Sequence, residues 1–180
     1  MQKKVLFVFG HGVEELELIA PADVLRRAEL LVHFASTEET TSVKTRGEFV
    51  LQVDQNFVNV DVADYDMVVL PGGPGVMALR QRDDLRRAIQ SYVLTKKPLA
   101  AICAAPLLLH DAGLLVNKNF TCHHSCWEEL PTADRVNKVV IDGALITSQG
   151  AGTALEFGLV LVEFLCGVES RQAIAEAIMA

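Results

Sequence analysis

Short apolar runs and helix-period stretches alternate along this chain from end to end. Val5–Phe9, Leu31–Ala35 and Met67–Leu70 are short and almost wholly apolar, which predicts buried strands. Leu99–Ile102, following Lys96-Lys97-Pro98, predicts a central parallel strand. Leu16–Ala28 predicts a helix, with Leu16, Ile19, Ala20, Val24 and Ala28 along one face. Leu85–Leu94, the segment after Cys103, Thr153–Leu165 and Arg171–Met179 predict further helices. Thr45–Val53 predicts a short hairpin around Arg46-Gly47, and Val136–Ile141 with Ala144–Thr147 a second around Asp142-Gly143. Strands separated by helices imply right-handed crossovers and a mostly parallel α/β sheet with helices on both faces. No linker or repeat divides the chain, so one domain over 1–180 is expected. Ligands of such sheets bind at the carboxyl ends of the strands, where Gly10-His11-Gly12, Pro71-Gly72-Gly73-Pro74-Gly75 and Cys103 should meet.

Composition narrows the classes. The hydrophobic fraction is 51%, but no run approaches the roughly 18 apolar residues of a membrane span. Met1-Gln2-Lys3-Lys4 leads straight into Val5–Phe9 with no small-residue cleavage site, so that run reads as a strand and the expected compartment is the cytosol. The formal net charge is −7 with no basic cluster, which disfavours nucleic acid and anionic membrane as partners. Cys103, Cys122, Cys126 and Cys166 form no paired framework; in a reducing compartment they are free thiols, ligands or redox centres.

Two residues carry most of the candidate chemistry. Cys103 stands where the Leu99–Ile102 strand runs into Ala104-Ala105-Pro106. Proline is tolerated in the first turn of a helix, so the helix should start at or just after Cys103, placing the sulfur at a positive helix end that favours thiolate. A free cysteine is more often inert packing; the strand-to-helix position sets this one apart. Glu17 lies four residues before Pro21, which has no N–H for the Glu17 carbonyl. The helix must therefore start nearby or kink, with Glu17 facing the cleft beside the first strand. Enclosure and the neighbouring Glu14 and Glu15 would raise its pKa into the range useful for proton transfer, although an acidic first turn also simply complements a helix dipole.

Other features are weaker. Pro71–Gly75 lacks the lysine and hydroxyl of a phosphate loop; it reads as a tight turn, or as backbone N–H groups aimed at the cleft. Thr121-Cys122-His123-His124-Ser125-Cys126 gathers potential ligands at a spacing that fits no common zinc motif, so no metal is expected, and a histidine partner for Cys103 is the better reading. Asp23, beside the expected apolar stripe, reads as a partly buried charge that Arg26, Arg27 or Arg46 could pair, across a subunit boundary or within the chain.

Six segments then combine: Gly12-Val13-Glu14-Glu15-Leu16-Glu17, Ala22-Asp23-Val24-Leu25-Arg26-Arg27-Ala28, Val68-Val69-Leu70-Pro71-Gly72-Gly73, Ala100-Ala101-Ile102-Cys103-Ala104-Ala105-Pro106, Thr121-Cys122-His123 and Thr147-Ser148-Gln149-Gly150-Ala151-Gly152-Thr153. In this order they resemble the ThiJ/PfpI superfamily, in the branch of the Parkinson-disease-associated deglycase and its bacterial relatives. The resemblance implies a flavodoxin-like α/β sandwich that forms a homodimer, with Asp23 and Arg27 at interface positions and Arg46 matching an arginine contributed across the dimer. It implies a readily oxidised cysteine at Cys103, a protonated acid at Glu17, a histidine at His123, and oxyanion donors at the Gly73 and Ala104 N–H groups. His124 stands where proline usually follows the histidine, so either ring could face the sulfur, and Gly150-Ala151-Gly152 replaces a more usual Gly-Pro-Gly. Cys122 and Cys126 flank this region and could resolve a Cys103 sulfenate.

The activity implied is a cofactor-free glyoxalase or deglycase acting on reactive 2-oxoaldehydes or glycated amines. An oxidative-stress sensor or holdase acting through Cys103 is the alternative of another class. A cysteine amidohydrolase or peptidase, with His123 as base, is the third.

Overall fold

The computed structural model describes residues 2–180. In chain order the elements are β1 (Lys4–Phe9), α1 (Glu15–Arg27), β2 (Leu31–Ser36), β3 (Ser42–Lys44), β4 (Val50–Gln52), β5 (Gln55–Asn56), β6 (Met67–Leu70), α2 (Val76–Leu79), α3 (Asp83–Leu94), β7 (Leu99–Ile102), α4 (Pro106–Asp111), β8 (Val139–Asp142), β9 (Leu145–Ser148), α5 (Ala154–Cys166) and α6 (Val168–Ala177). The main sheet has seven strands in the order β5-β2-β1-β6-β7-β9-β8. All neighbours are parallel except β8, which returns antiparallel beside β9. The separate β3–β4 hairpin turns around Arg46-Gly47 as expected, with its first arm starting earlier, at Ser42.

Strand periodicity explains the two cores. Val5, Phe7 and Phe9 join Val69, Ala100 and Ile102 beneath α1 and α5, whereas Leu6 and Val8 join Val68, Leu70 and Ala101 on the face covered by α3 and α4. The central strands β1, β6 and β7 are buried on both faces, which is why their sequences are apolar without alternation.

The face that α1 buries differs from the expected stripe. Glu17, Leu18, Pro21, Ala22, Val24 and Leu25 point inward, while Leu16 and Ile19 are 56% and 42% exposed. The cause is a close crossing with α5. A Cβ added at Gly158 would lie 2.6 Å from the Pro21 Cα, so only glycine lets the two backbones meet there. Packing Pro21 against α5 turns Glu17, one turn earlier, toward the sheet. Asp23 falls on the opposite side and is exposed rather than partly buried; its partner is Arg27 of the same helix, at 2.7 Å. The helix itself starts at Glu15 and runs on through Pro21, so Glu17 sits in its first turn.

Candidate active site

The carboxyl ends of β1, β6, β7 and β9 lie side by side, and the loops leaving them are stitched together by main-chain hydrogen bonds. Glu14 N–H donates to the Gly72 carbonyl (3.0 Å), Gly75 N–H to Gly12 (3.1 Å), and Arg46 N–H to Val13 (2.8 Å). They enclose a cleft of about 690 Å³ lined by Glu17, Arg46, Gly73, Cys103, Ala104 and His123 among others.

Cys103 follows β7 directly and has φ +65°, a left-handed conformation that is costly for a residue with a Cβ. Two bonds hold it there: its N–H donates to Ser148 (2.9 Å), and His123 N–H donates to its carbonyl (2.8 Å). The helix beyond begins only at Pro106 and is a single short turn and a half, so the expected thiolate-favouring helix end is not what the sulfur meets. Burial pushes the Cys103 thiol up, and the charge and hydrogen bond of Glu17 push it further; the Gly73 and Ala104 N–H groups, directed at the sulfur, pull it down. These are the two amides expected as oxyanion donors.

Glu17 is 1% exposed. Its Oε2 accepts from Gly72 N–H (3.0 Å), and its carboxyl is hydrogen-bonded to the Cys103 thiol and to the Ala151 N–H. Burial pushes its pKa up to about 7, opposed by these three hydrogen bonds and helped by Glu14. Gly72 permits the approach: a Cβ there would sit 2.6 Å from both the Cys103 Cβ and Glu17 Oε2. The cysteine–glutamate pair therefore carries two protons below about pH 7 and one above it. In the singly protonated state the Glu17 carboxyl and the Cys103 sulfur share one proton, and the Gly73 and Ala104 N–H groups face the sulfur.

Raising a carboxyl pKa on folding has a cost in stability. The folded value, about 7, exceeds the unfolded 4.5, so the group's contribution is intact below pH 4.5 and is lost as pH rises to and through 7. Above that, burial of the charge costs about 3 kcal/mol. Glu17→Gln should thus match the wild type in urea denaturation near pH 4.5 and exceed it by about that amount at pH 8.

Of the two histidines, His123 lines the cleft and His124 lies outside it, its ring tilted against that of His123 at 4.0 Å between centroids and edge-on to Trp127. Burial and the neighbouring His124 hold the His123 pKa below its ordinary value. Its Nδ1 accepts from Ser125 N–H (3.3 Å) and lies 2.8 Å from Ser125 Oγ, which leaves the Nε2–H tautomer in the neutral ring. It makes no hydrogen bond to the sulfur. Arg46 reaches the cleft of its own chain and pairs with Glu14 at 3.5 Å. Cys126 opens into the same cleft, and Cys122 is buried behind it.

A model of the DJ-1/PfpI family matches residues 3–164. The chain belongs to that family. It is 36% identical over 183 residues to the protein dj-1beta of Drosophila melanogaster, covering 99% of this chain and 98% of that one. The crystal structure of Drosophila melanogaster DJ-1beta superposes with a TM-score of 0.92, covering 100% of this chain and 99% of that chain. A Caenorhabditis elegans relative named glutathione-independent glyoxalase DJR-1.2 is 31% identical over 96% of this chain and 94% of its own. The solved structure of oxidized Toxoplasma gondii DJ-1 is 30% identical, covers 98% of each chain and has a TM-score of 0.92. The DJ-1/PfpI resemblance read from the six segments is thus shown, together with the mostly parallel α/β fold it implied. Among the described residues no helix is long and apolar enough to cross a membrane.

Two contributors to the site were not anticipated as such. Gly72 and Ala151 act through their backbone N–H groups on Glu17, and a backbone donor has no residue-type signature. Gly72 had one signal, its place in the Pro71–Gly75 turn that follows β6. Ala151 had another: it stands where the resemblance leads one to expect proline, which would have no N–H to give.

Proposed function

We propose that this protein converts 2-oxoaldehydes such as methylglyoxal and glyoxal to 2-hydroxy acids through a Cys103 adduct, without a cofactor. The observation that carries the reading is the buried Glu17 carboxyl hydrogen-bonded to the Cys103 thiol, beside the Gly73 and Ala104 N–H groups. The Caenorhabditis elegans relative's name supports the same reaction class.

The chemistry follows from which group holds the proton. The Cys103 thiolate adds to the aldehyde carbon, and the protonated Glu17 delivers its proton to the new alkoxide, giving a hemithioacetal. The Glu17 carboxylate then removes the proton on that carbon. The electrons move into an enediolate whose negative oxygen the Gly73 and Ala104 N–H groups hold. Glu17 returns the proton to the adjacent carbon, which yields a thioester, and water releases the hydroxy acid and the thiol. The same addition applied to a glycated amine gives deglycation. Arg46 and His123 line the cleft where the second carbonyl would lie.

The singly protonated pair is the reactive form, so kcat/KM for methylglyoxal should rise with pH up to about 7 and then level off. Ala151→Pro removes one N–H from Glu17 at a first-turn position that tolerates proline, and should move that rise to higher pH. A pH–rate series on both proteins checks this; an unmoved profile in the variant would contradict the Ala151 assignment.

The second reading, an oxidation sensor, is favoured by one observation. The N–H groups that face the sulfur would also hold the oxygens of a Cys103 sulfinate, and a relative has been solved in an oxidized state. Intact mass after mild peroxide, read beside aldehyde turnover, separates it from the enzyme. An amidohydrolase would use His123 as base on the sulfur, but His123 spends Nδ1 on Ser125 instead.

A second copy of this chain is the partner we propose for the exposed side of α1, where Leu16 and Ile19 stand bare beside the Asp23–Arg27 pair. Sedimentation should give twice the 19.6 kDa chain mass for the wild type and a single chain for Ile19→Asp.

A further inference from the structure

Cys122 and Cys126 are separated by His123, His124 and Ser125, and the turn of that segment brings their thiols next to each other. Both are buried, at 1% and 4% exposure, and neither is bonded to another cysteine. Their placement is not that of ordinary packing thiols. Cys126 forms part of the wall of the Cys103 cleft, while Cys122 forms part of the wall of a second cleft of about 450 Å³ with Trp127, Arg135 and Gln149. The pair therefore stands between two clefts, one cysteine in the wall of each.

Polar groups surround the pair as they would a reactive sulfur. Ser125 Oγ lies 3.8 Å from Cys126 Sγ. The Cys122 hydrogen bond, the Ser125 hydroxyl and the nearby Arg80 guanidinium hold the Cys126 thiol below its ordinary pKa, against burial and Glu129, while Cys122 is pushed up and keeps its proton. Arg80 is fixed in place by Asp111 at 2.7 Å and by Glu129.

We propose that Cys122 and Cys126 form a dithiol redox site separate from Cys103, which takes a two-electron oxidation from a small hydroperoxide and stores it as a reversible disulfide. The Cys126 thiolate attacks the terminal peroxide oxygen; the O–O bond breaks, an alcohol (or water, from hydrogen peroxide) leaves with a proton, and the sulfur becomes a sulfenic acid. The Cys122 sulfur then attacks that sulfur. The S–O bond breaks, water leaves with the Cys122 proton, and an S–S bond forms. Overall, two thiols and one hydroperoxide give one disulfide, one alcohol and one water. A small dithiol reverses the reaction by exchange. The disulfide would close across the turn that carries His123, whose N–H holds the Cys103 carbonyl, so the state of the pair bears on the active-site cysteine.

The test uses the full chain with Cys103→Ser, so that active-site oxidation does not contribute. After a few equivalents of hydrogen peroxide, intact mass should fall by about 2 Da, with Cys122 and Cys126 both protected from alkylation and both recovered by dithiothreitol. Adding Cys122→Ser should abolish that loss and leave an oxygen adduct on Cys126 in its place. If that double variant misfolds by circular dichroism, differential alkylation of the wild-type chain decides. Cys122 and Cys126 that stay alkylatable while Cys103 oxidises, or that gain oxygen without ever losing hydrogen together, would overturn the proposal.

Discussion

Cys103→Ala should lower the conversion of methylglyoxal to lactate by roughly 10³-fold or more, the scale on which removal of a covalent nucleophile acts. No other group of the cleft can replace the sulfur in this chemistry. Cys126 opens into the same space, but its thiol contacts Cys122 and Ser125 and not the Glu17 carboxyl, so an adduct formed there would have no proton carrier. The variant should fold normally. The bonds that hold position 103 at φ +65° run through its own N–H and carbonyl, to Ser148 and His123, and alanine keeps both. The expected pair of results is lost turnover, read as lactate, and a thermal midpoint within a few degrees of the wild type. Turnover that survives would move the chemistry away from Cys103.

Glu17→Gln should lower kcat by about 10²- to 10⁴-fold, the range assigned to a positioned general acid–base group. The amide can still meet Gly72 N–H through its oxygen and can still offer an N–H to the sulfur, so the cysteine keeps its surroundings while the proton carrier is gone. The two substitutions are therefore not equivalent: one removes the bond-forming atom, the other the transfer between carbons. Their effects should be far from additive, because both act on a single sequence of steps. A double variant no slower than Cys103→Ala alone is the expected result of the rate measurements.

Much of this site was legible before any coordinates. The runs Met67–Leu70 and Leu99–Ile102 announced the central strands because strands buried on both faces are apolar without alternation, and their observed bounds are those residues. Glu17 stood out because Pro21 follows it by one turn, and Cys103 because Pro106 marks a helix start. What the residues did not show was rotation and backbone. Leu16 and Ile19 are apolar yet face outward, because the Pro21–Gly158 crossing, a contact distant in sequence, sets the face that α1 buries. Asp23 is exposed for the same reason. The two residues of β5 carry no hydrophobic signal and pair as a parallel edge only through β2. His123 and His124 are identical in kind, and only the backbone at His123, extended before the turn that begins at His124, sends one ring into the cleft and the other out. The groups that face the sulfur are two loop amides, not the end of a helix, because α4 begins three residues beyond Cys103.

In the proposed reaction Cys103 and Glu17 divide the work between bond formation and proton transfer. Intact mass spectrometry of Glu17→Gln with methylglyoxal, run beside a lactate assay, tests that division most directly. The prediction is a single methylglyoxal adduct that accumulates on Cys103 while lactate forms at least about 10²-fold more slowly than with the wild type. Lactate produced at the wild-type rate, or an adduct on any residue other than Cys103, would contradict it.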